Sequence, residues 1–335
     1  DFLSKFARLS IKMKDEKMCD IRNETNLVWW LLRTFFIPVA VPLFLINLWK
    51  RLKERKYKNC LPGQVVVITG ASSGLGEALS HMFYKAGCKV VLASRRKDEL
   101  ERVRRDLLEL PLLGPTYPPV VMTLDLAELN EIPKVAKKIL NVFGRVDVLI
   151  NNGGVSVRAD VVSSSIDVDL KVMMVNYFGT VALTKAILPS MIERKEGRVV
   201  FISSVQGKFA LPYRSAYSAS KHALQAFSDS LRAEVKQHGV KVTCISPGYI
   251  KTALSMNALT GNGTLYGKLD DTTANGYSPE KMSKEILKAI LRDEKDVIVA
   301  QPSAHAAYWL RFICPSVFHY IMGKRAQKGL IDKKK

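Results

Sequence analysis

Gln64-Val65-Val66-Val67-Ile68-Thr69-Gly70-Ala71-Ser72-Ser73-Gly74-Leu75-Gly76 passes from an apolar run straight into a glycine-rich turn, and a helical pattern follows through Ala86. A short apolar run closed by a turn signal reads as a buried strand, so the order is strand, turn, helix. The glycines let the backbone turn tightly and approach a ligand closely, which puts a helix N-terminus where it can meet a pyrophosphate. The spacing, Gly-x-x-x-Gly-x-Gly, departs from the general Gly-x-Gly-x-x-Gly fingerprint. A purely structural turn is the competing reading of these residues alone.

Working outward, a second strand, Lys89-Val90-Val91-Leu92-Ala93, ends in Ser94-Arg95-Arg96. It ends about twenty residues beyond the turn, where an acid would accept the adenosine ribose hydroxyl. Two arginines stand there instead, suited to a 2′-phosphate, so NADP(H) is expected over NAD(H) unless they only solvate a loop. The alternation continues with Val120–Leu124 and Asp125, a helix over Ile132–Phe143, and Val148–Ile150 closed by Asn151-Asn152-Gly153-Gly154. Further strands are expected over Arg198–Ser203, Lys241–Ser246 and Val297–Ala300, with a helix over Pro279–Arg292. The expected fold is therefore α/β, a Rossmann-type doubly wound parallel sheet of about seven strands, with ligands at the carboxyl ends of the strands.

Tyr217-Ser218-Ala219-Ser220-Lys221 begins a run with Ala223, Leu224, Phe227, Leu231 and Val235 at helical spacing. Residues four apart share a helix face, so the phenol and the ammonium project together. A phenol ordinarily titrates near about 10, and a neighbouring cation favours its phenolate, which suits acid–base work at a carbonyl or alcohol. Taken alone, such a pair also arises by chance on a surface helix.

Together these residues resemble the short-chain dehydrogenase/reductases over about Gly63 to Gln301. The resemblance implies cofactor contacts from Gly70, Ser72, Ser73, Gly74, Leu75 and Gly76, from Arg95, Arg96, Asp125 and Asn152, and from Pro247, Gly248 and Thr252. It implies a catalytic set of Asn176, Ser204, Tyr217 and Lys221, with Ser204 also touching the substrate, and Tyr217 and Lys221 also touching the cofactor. Gly153 stands where the family usually has Ala, a departure expected to loosen that turn. Membrane-anchored members are the most similar, and an oxidoreductase acting on a lipophilic carbonyl or alcohol, such as a steroid, retinoid or lipid ketone, is the implied activity. A non-catalytic lipid- or partner-binding module is the alternative.

Leu27 to Trp49 is almost continuously apolar with Trp29, Trp30 and Trp49 at its ends, and Lys50-Arg51-Leu52-Lys53-Glu54-Arg55-Lys56-Tyr57-Lys58 follows. About 23 helical residues reach roughly 34 Å, enough for a hydrocarbon core, so residues 27–49 are expected as a retained anchor. The expected plan is a tail at 1–26, the anchor, a basic linker at 50–62, the catalytic domain at 63–301 and an apolar-then-basic tail at 302–335. The expected location is the endoplasmic reticulum membrane, single-pass, with the peroxisomal membrane as alternative. The denser basic cluster after the span places the domain in the cytosol.

The formal net charge is +20 over 335 residues, with the cations crowded near the ends instead of forming a stripe interleaved with aromatics. That argues against nucleic acid and toward anionic lipid. Five scattered cysteines and five histidines show no metal-ligand or disulfide spacing, so no metal is expected. Residues 253–277, polar and rich in Gly and Asn, read as a lid over the substrate. The apolar part of the C-terminal tail has three readings: a membrane contact, a packing surface for the domain, or a homodimer contact.

Overall fold

The computed structural model describes residues 29–30, 32–58, 60–111 and 117–334. Leu27, Val28 and Leu31 of the expected anchor, and the whole of the 1–26 tail, lie outside them. The chain divides into two compact units, Asp1–Lys56 and Tyr57–Lys335.

A helix covers Ile37–Lys58, all but its last two residues in the first unit, and follows a π-helical turn at Leu32–Phe36. The basic run expected as a linker is thus the last turns of the helix, because Lys, Arg, Glu and Leu are good helix formers and nothing there interrupts them. Val39, Phe44 and Trp49 are 60%, 66% and 59% exposed. Among the described residues, the helix long and apolar enough to cross a membrane is a different one, Ile166–Glu193. It is a core helix of the second unit, with Val172, Leu183, Ile187 and Met191 buried.

The second unit is built on seven parallel strands: β1 (Val65–Thr69), β2 (Lys89–Ser94), β3 (Val120–Thr123), β4 (Val148–Asn151), β5 (Gly197–Ile202), β6 (Val240–Pro247) and β7 (Asp296–Val299). Their spatial order is β3-β2-β1-β4-β5-β6-β7. Ile68 of β1 lies opposite Leu92 of β2 on one side and Ile150 of β4 on the other. β1 is buried throughout and apolar from Val65 to Ile68, as fits a strand with helices on both faces of its sheet. Its side chains alternate between them: Val66 and Ile68 join Leu79, Phe83 and Ile286, whereas Val65 and Val67 join Ile139, Leu183 and Leu231. Burying one such Leu, Ile or Phe contributes about 1.5–3 kcal/mol.

The sheet reverses direction of growth between β1 and β4, and the carboxyl ends of the strands there deliver Gly70, Asn152 and Ser204 to one edge. Beyond β7 the chain forms two helices, Pro302–Ile313 and Pro315–Lys334. Of the three readings of this tail, packing on the domain holds for one face: Phe318, 3% exposed, joins Val205, Phe209 and Leu211. The Tyr213 hydroxyl also donates to the Ala326 carbonyl at 2.8 Å.

Candidate active site

A cavity of about 500 Å³ opens along the carboxyl edge of the sheet, from the glycine turn after β1 to Tyr217 and the 253–277 segment. Gly70 and Gly74 hold left-handed backbone, φ +67° and +60°. Gly76 is required by proximity, since a Cβ there would lie 2.1 Å from the Gly70 carbonyl oxygen. The turn is therefore wound against itself at the start of the Gly74–Lys85 helix, whose first N–H groups have no intrahelical partner. This cradle fits a pyrophosphate.

The turn after β4 braces the cradle. The Asn152 side-chain amide donates to the Thr69 carbonyl at 2.9 Å, while the Asn152 and Gly153 backbone N–H groups donate to Thr69 Oγ1 at 2.9 and 2.8 Å. Gly153 does not loosen the turn as expected: Leu126 fills the space, its Cδ1 2.8 Å from where an alanine Cβ would stand. Arg96 reaches back to the turn, its Nη2 donating to Ser72 and Ser73 hydroxyls at 3.0 and 2.8 Å. Arg95, Asp125, Leu75, Pro247, Gly248 and Thr252 also line the cavity, so every expected cofactor residue reaches it. The Asp125 carboxylate accepts the Ala127 N–H at 2.9 Å, which fixes its direction.

The Ser215–Val235 helix carries Tyr217 and Lys221 on its first turns, both buried. Lys221 Nζ lies 5.8 Å from the Tyr217 ring centroid and donates to the Ile202 carbonyl at 2.9 Å. Burial pulls the Lys221 ammonium down to about 8. Burial pushes the Tyr217 phenol above its ordinary value, opposed by a hydrogen bond with Ser204 and by the charges of Arg158 and Arg214. Ser204 sits just past β5, its hydroxyl accepting the Gln206 N–H at 3.1 Å. Asn176, fully buried, does not line the cavity. It lies on a π-helical turn, Met174–Gly179, within the long core helix, an irregularity common at functional sites. Its amide exchanges bonds with the Val155 backbone at 2.8 and 2.9 Å and donates to Ser220 Oγ at 3.0 Å, tying the β4 turn to the Ser215–Val235 helix.

The sequence profile of the short chain dehydrogenases matches residues 64–262, the stretch that carries this geometry. The chain belongs to the short-chain dehydrogenase/reductase family. It is 59% identical to a Drosophila melanogaster protein named dehydrogenase/reductase SDR family protein 7-like, over 95% of this chain and 97% of that one. It is 50% identical to dehydrogenase/reductase SDR family member 7B of Bos taurus, over 85% of this chain and 88% of that one. Among solved structures it resembles a short-chain dehydrogenase from Streptomyces avermitilis, at TM-score 0.64 and 26% identity, over 80% of this chain and 99% of that one. A metagenomic short-chain oxidoreductase in complex with NADP matches at TM-score 0.58 and 27% identity, over 71% of this chain and 97% of that one.

Within this family frame the fold brings in residues that sequence reasoning missed. Arg158 donates to the Asp270 carboxylate at 2.8 Å through Nε, and Arg214, the residue before the Ser215–Val235 helix, reaches the same carboxylate at 3.0 Å. Arg214 also donates to the Tyr249 hydroxyl at 3.1 Å. One carboxylate thus serves two largely buried guanidinium groups, leaving a net positive charge beside Tyr217. Asp270 belongs to the segment read as a lid, which is pinned at this point and at the bridge of Val157 to Leu259. Ala253, Leu254, Ser255, Leu259 and Leu265 from it line the cavity. No local pattern announces Arg158 or Asp270, since each finds its partner far along the chain.

Proposed function

We propose that this chain is a membrane-bound, NADP(H)-dependent oxidoreductase that interconverts a lipophilic ketone or aldehyde with its alcohol, Tyr217 serving as acid and base. The observation that carries the proposal is that one cavity holds both the glycine cradle with Arg95 and Arg96 and the Ser204, Tyr217 and Lys221 side chains. The family name and the NADP complex of a structural relative support a nicotinamide cofactor. The aliphatic side chains of Val155, Leu254, Leu259 and Leu265 around the catalytic end support a lipophilic substrate.

The cofactor supplies or accepts the hydride when bound. Ser204 hydrogen-bonds the reacting oxygen and holds it within reach of Tyr217, which gives its proton to a carbonyl or takes one from an alcohol. Lys221 would hold the nicotinamide ribose, while Arg158 and Arg214 favour the phenolate against the cost of burial. The Asn176 side chain is spent on Val155 and Ser220, so it acts by holding the β4 turn against the helix that carries Tyr217 and Lys221.

The purified protein should bind NADPH more tightly than NADH, and Arg96→Ala should erase most of the difference. A lost charge-assisted pair is worth roughly 1.5–3 kcal/mol, about 10- to 150-fold in affinity. Fluorescence titration with both cofactors measures it; equal affinities in the parent protein would remove the argument for NADP(H).

We further propose that residues 27–49 anchor the protein in the endoplasmic reticulum membrane with the catalytic domain in the cytosol. Asn262-Gly263-Thr264 is a glycosylation acceptor, and Asn262 is exposed on the surface. Expressed in cells with an endoplasmic reticulum, the protein should show no glycosidase-sensitive mass at Asn262. A mass shift abolished by Asn262→Gln would place the domain in the lumen.

A further inference from the structure

The two C-terminal helices carry apolar side chains on opposite sides. Phe318 and Met322 pack toward the domain. Trp309, Phe312, Ile313, Val317, Tyr320 and Ile321 instead stand in solvent, with Ile313 at 78% and Tyr320 at 66% exposed. Their spacing of three and four residues gathers them into a stripe on each helix, continued on the second by exposed Lys324 and Lys328. Large apolar patches are rare on monomeric proteins and mark contact sites.

Charge identifies the contact. Residues 302–335 hold seven Lys and Arg against one acid, Asp332. Protein interfaces are depleted in lysine at their cores, whereas an anionic bilayer attracts each Lys or Arg held near its surface. Trp309 and Tyr320 are residue types that favour the headgroup level. We infer that this helix pair is a docking surface for an anionic bilayer, lying in the interface with its apolar stripe about 5–10 Å deep.

The surface adjoins the cavity. Arg325, on the second helix, donates to the Tyr249 hydroxyl at 3.0 Å, and Tyr249 lines the cavity. The Tyr213 hydroxyl holds the Ala326 carbonyl, while its own carbonyl accepts the Ala159 N–H at 3.2 Å. Ala159 leads into Val161 and Val162, which are themselves 74% and 98% exposed. Docking here opens the cavity toward lipid, so a lipophilic substrate enters without crossing water. That consequence rests on the proposed function; the docking itself does not.

The test uses the full chain on vesicles of phosphatidylcholine and phosphatidylserine, with the vesicle-bound fraction recovered by flotation. In a background with Cys19, Cys60 and Cys314 replaced by Ser, a nitroxide is placed at Ile313→Cys, Ile321→Cys or, as an exposed control, Lys138→Cys. Collision with oxygen should exceed collision with a water-soluble nickel chelate several-fold at 313 and 321, and the order should reverse at 138. The difference should shrink in Lys324→Glu/Lys328→Glu or on phosphatidylcholine alone. Low collision with both reagents at 313 and 321 would reveal a second copy of the chain on this face. High collision with the nickel chelate would show it open to water, and either result overturns the inference. None of these readings uses enzymatic activity, so they stand apart from the test of cofactor preference.

Discussion

Replacing Tyr217 with Phe is expected to lower turnover by about 10²- to 10⁴-fold, the usual contribution of a positioned acid or base. Cofactor affinity should stay nearly unchanged. The phenol is buried against Ser204 and the field of Arg158 and Arg214, and the substitution removes only the oxygen that carries the proton. Lys221→Ala should behave differently: its ammonium donates to the Ile202 carbonyl, and under the proposed function it would also hold the cofactor ribose. It should lower turnover and cofactor affinity together, and cost about 1–3 kcal/mol of stability through the carbonyl left without a partner. Steady-state kinetics, cofactor titration and thermal melts of the two variants separate these effects. Substantial activity in Tyr217→Phe would show that another group moves the proton.

The second large effect is expected at Gly76. An alanine Cβ there would fall 2.1 Å from the Gly70 carbonyl oxygen and 2.7 Å from the Asn152 amide nitrogen, so backbone of the cradle itself must move. Gly76→Ala should cost about 3 kcal/mol or more and abolish measurable cofactor binding. Gly153→Ala is the informative partner. Its Cβ meets the far end of the Leu126 side chain at 2.8 Å, a flexible neighbour that can turn aside. That variant should bind cofactor within a few-fold of the parent and melt within a few degrees of it. Equal losses in both would mean that the cradle tolerates no volume anywhere, and that the contrast between backbone and side-chain obstruction is irrelevant here.

The same contrast between local and distant neighbours explains what was legible beforehand. The seven strands lie within a residue or two of where the apolar runs placed them, and the Ile132–Phe143 helix has the expected ends. Period, turn residues and burial on both faces of a parallel sheet are properties of adjacent residues. The cradle is legible for the same reason, as is the pairing of Tyr217 with Lys221 on one helix face. Every expected site residue except Asn176 reaches the cavity, because a parallel sheet sends each strand's carboxyl end to the same edge.

What only the tertiary structure decided is how distant segments close on that edge. Asp270 meets Arg158 from 112 residues away and turns an unpatterned polar loop into a pinned cover over the cavity. Leu126 fills the space left by Gly153, so a departure that looked loosening in sequence leaves the turn braced. Asn176 is a buried brace between the β4 turn and the helix that carries Tyr217 and Lys221. The C-terminal tail, open to three readings as a string of apolar and basic residues, became a helix pair with one face committed to the domain and the other left exposed. The physical reason is common to all four: a side chain's period and turn chemistry are set by its neighbours in the chain, whereas its partner, charge environment and remaining exposure exist only after the sheet and its covering helices have closed around it.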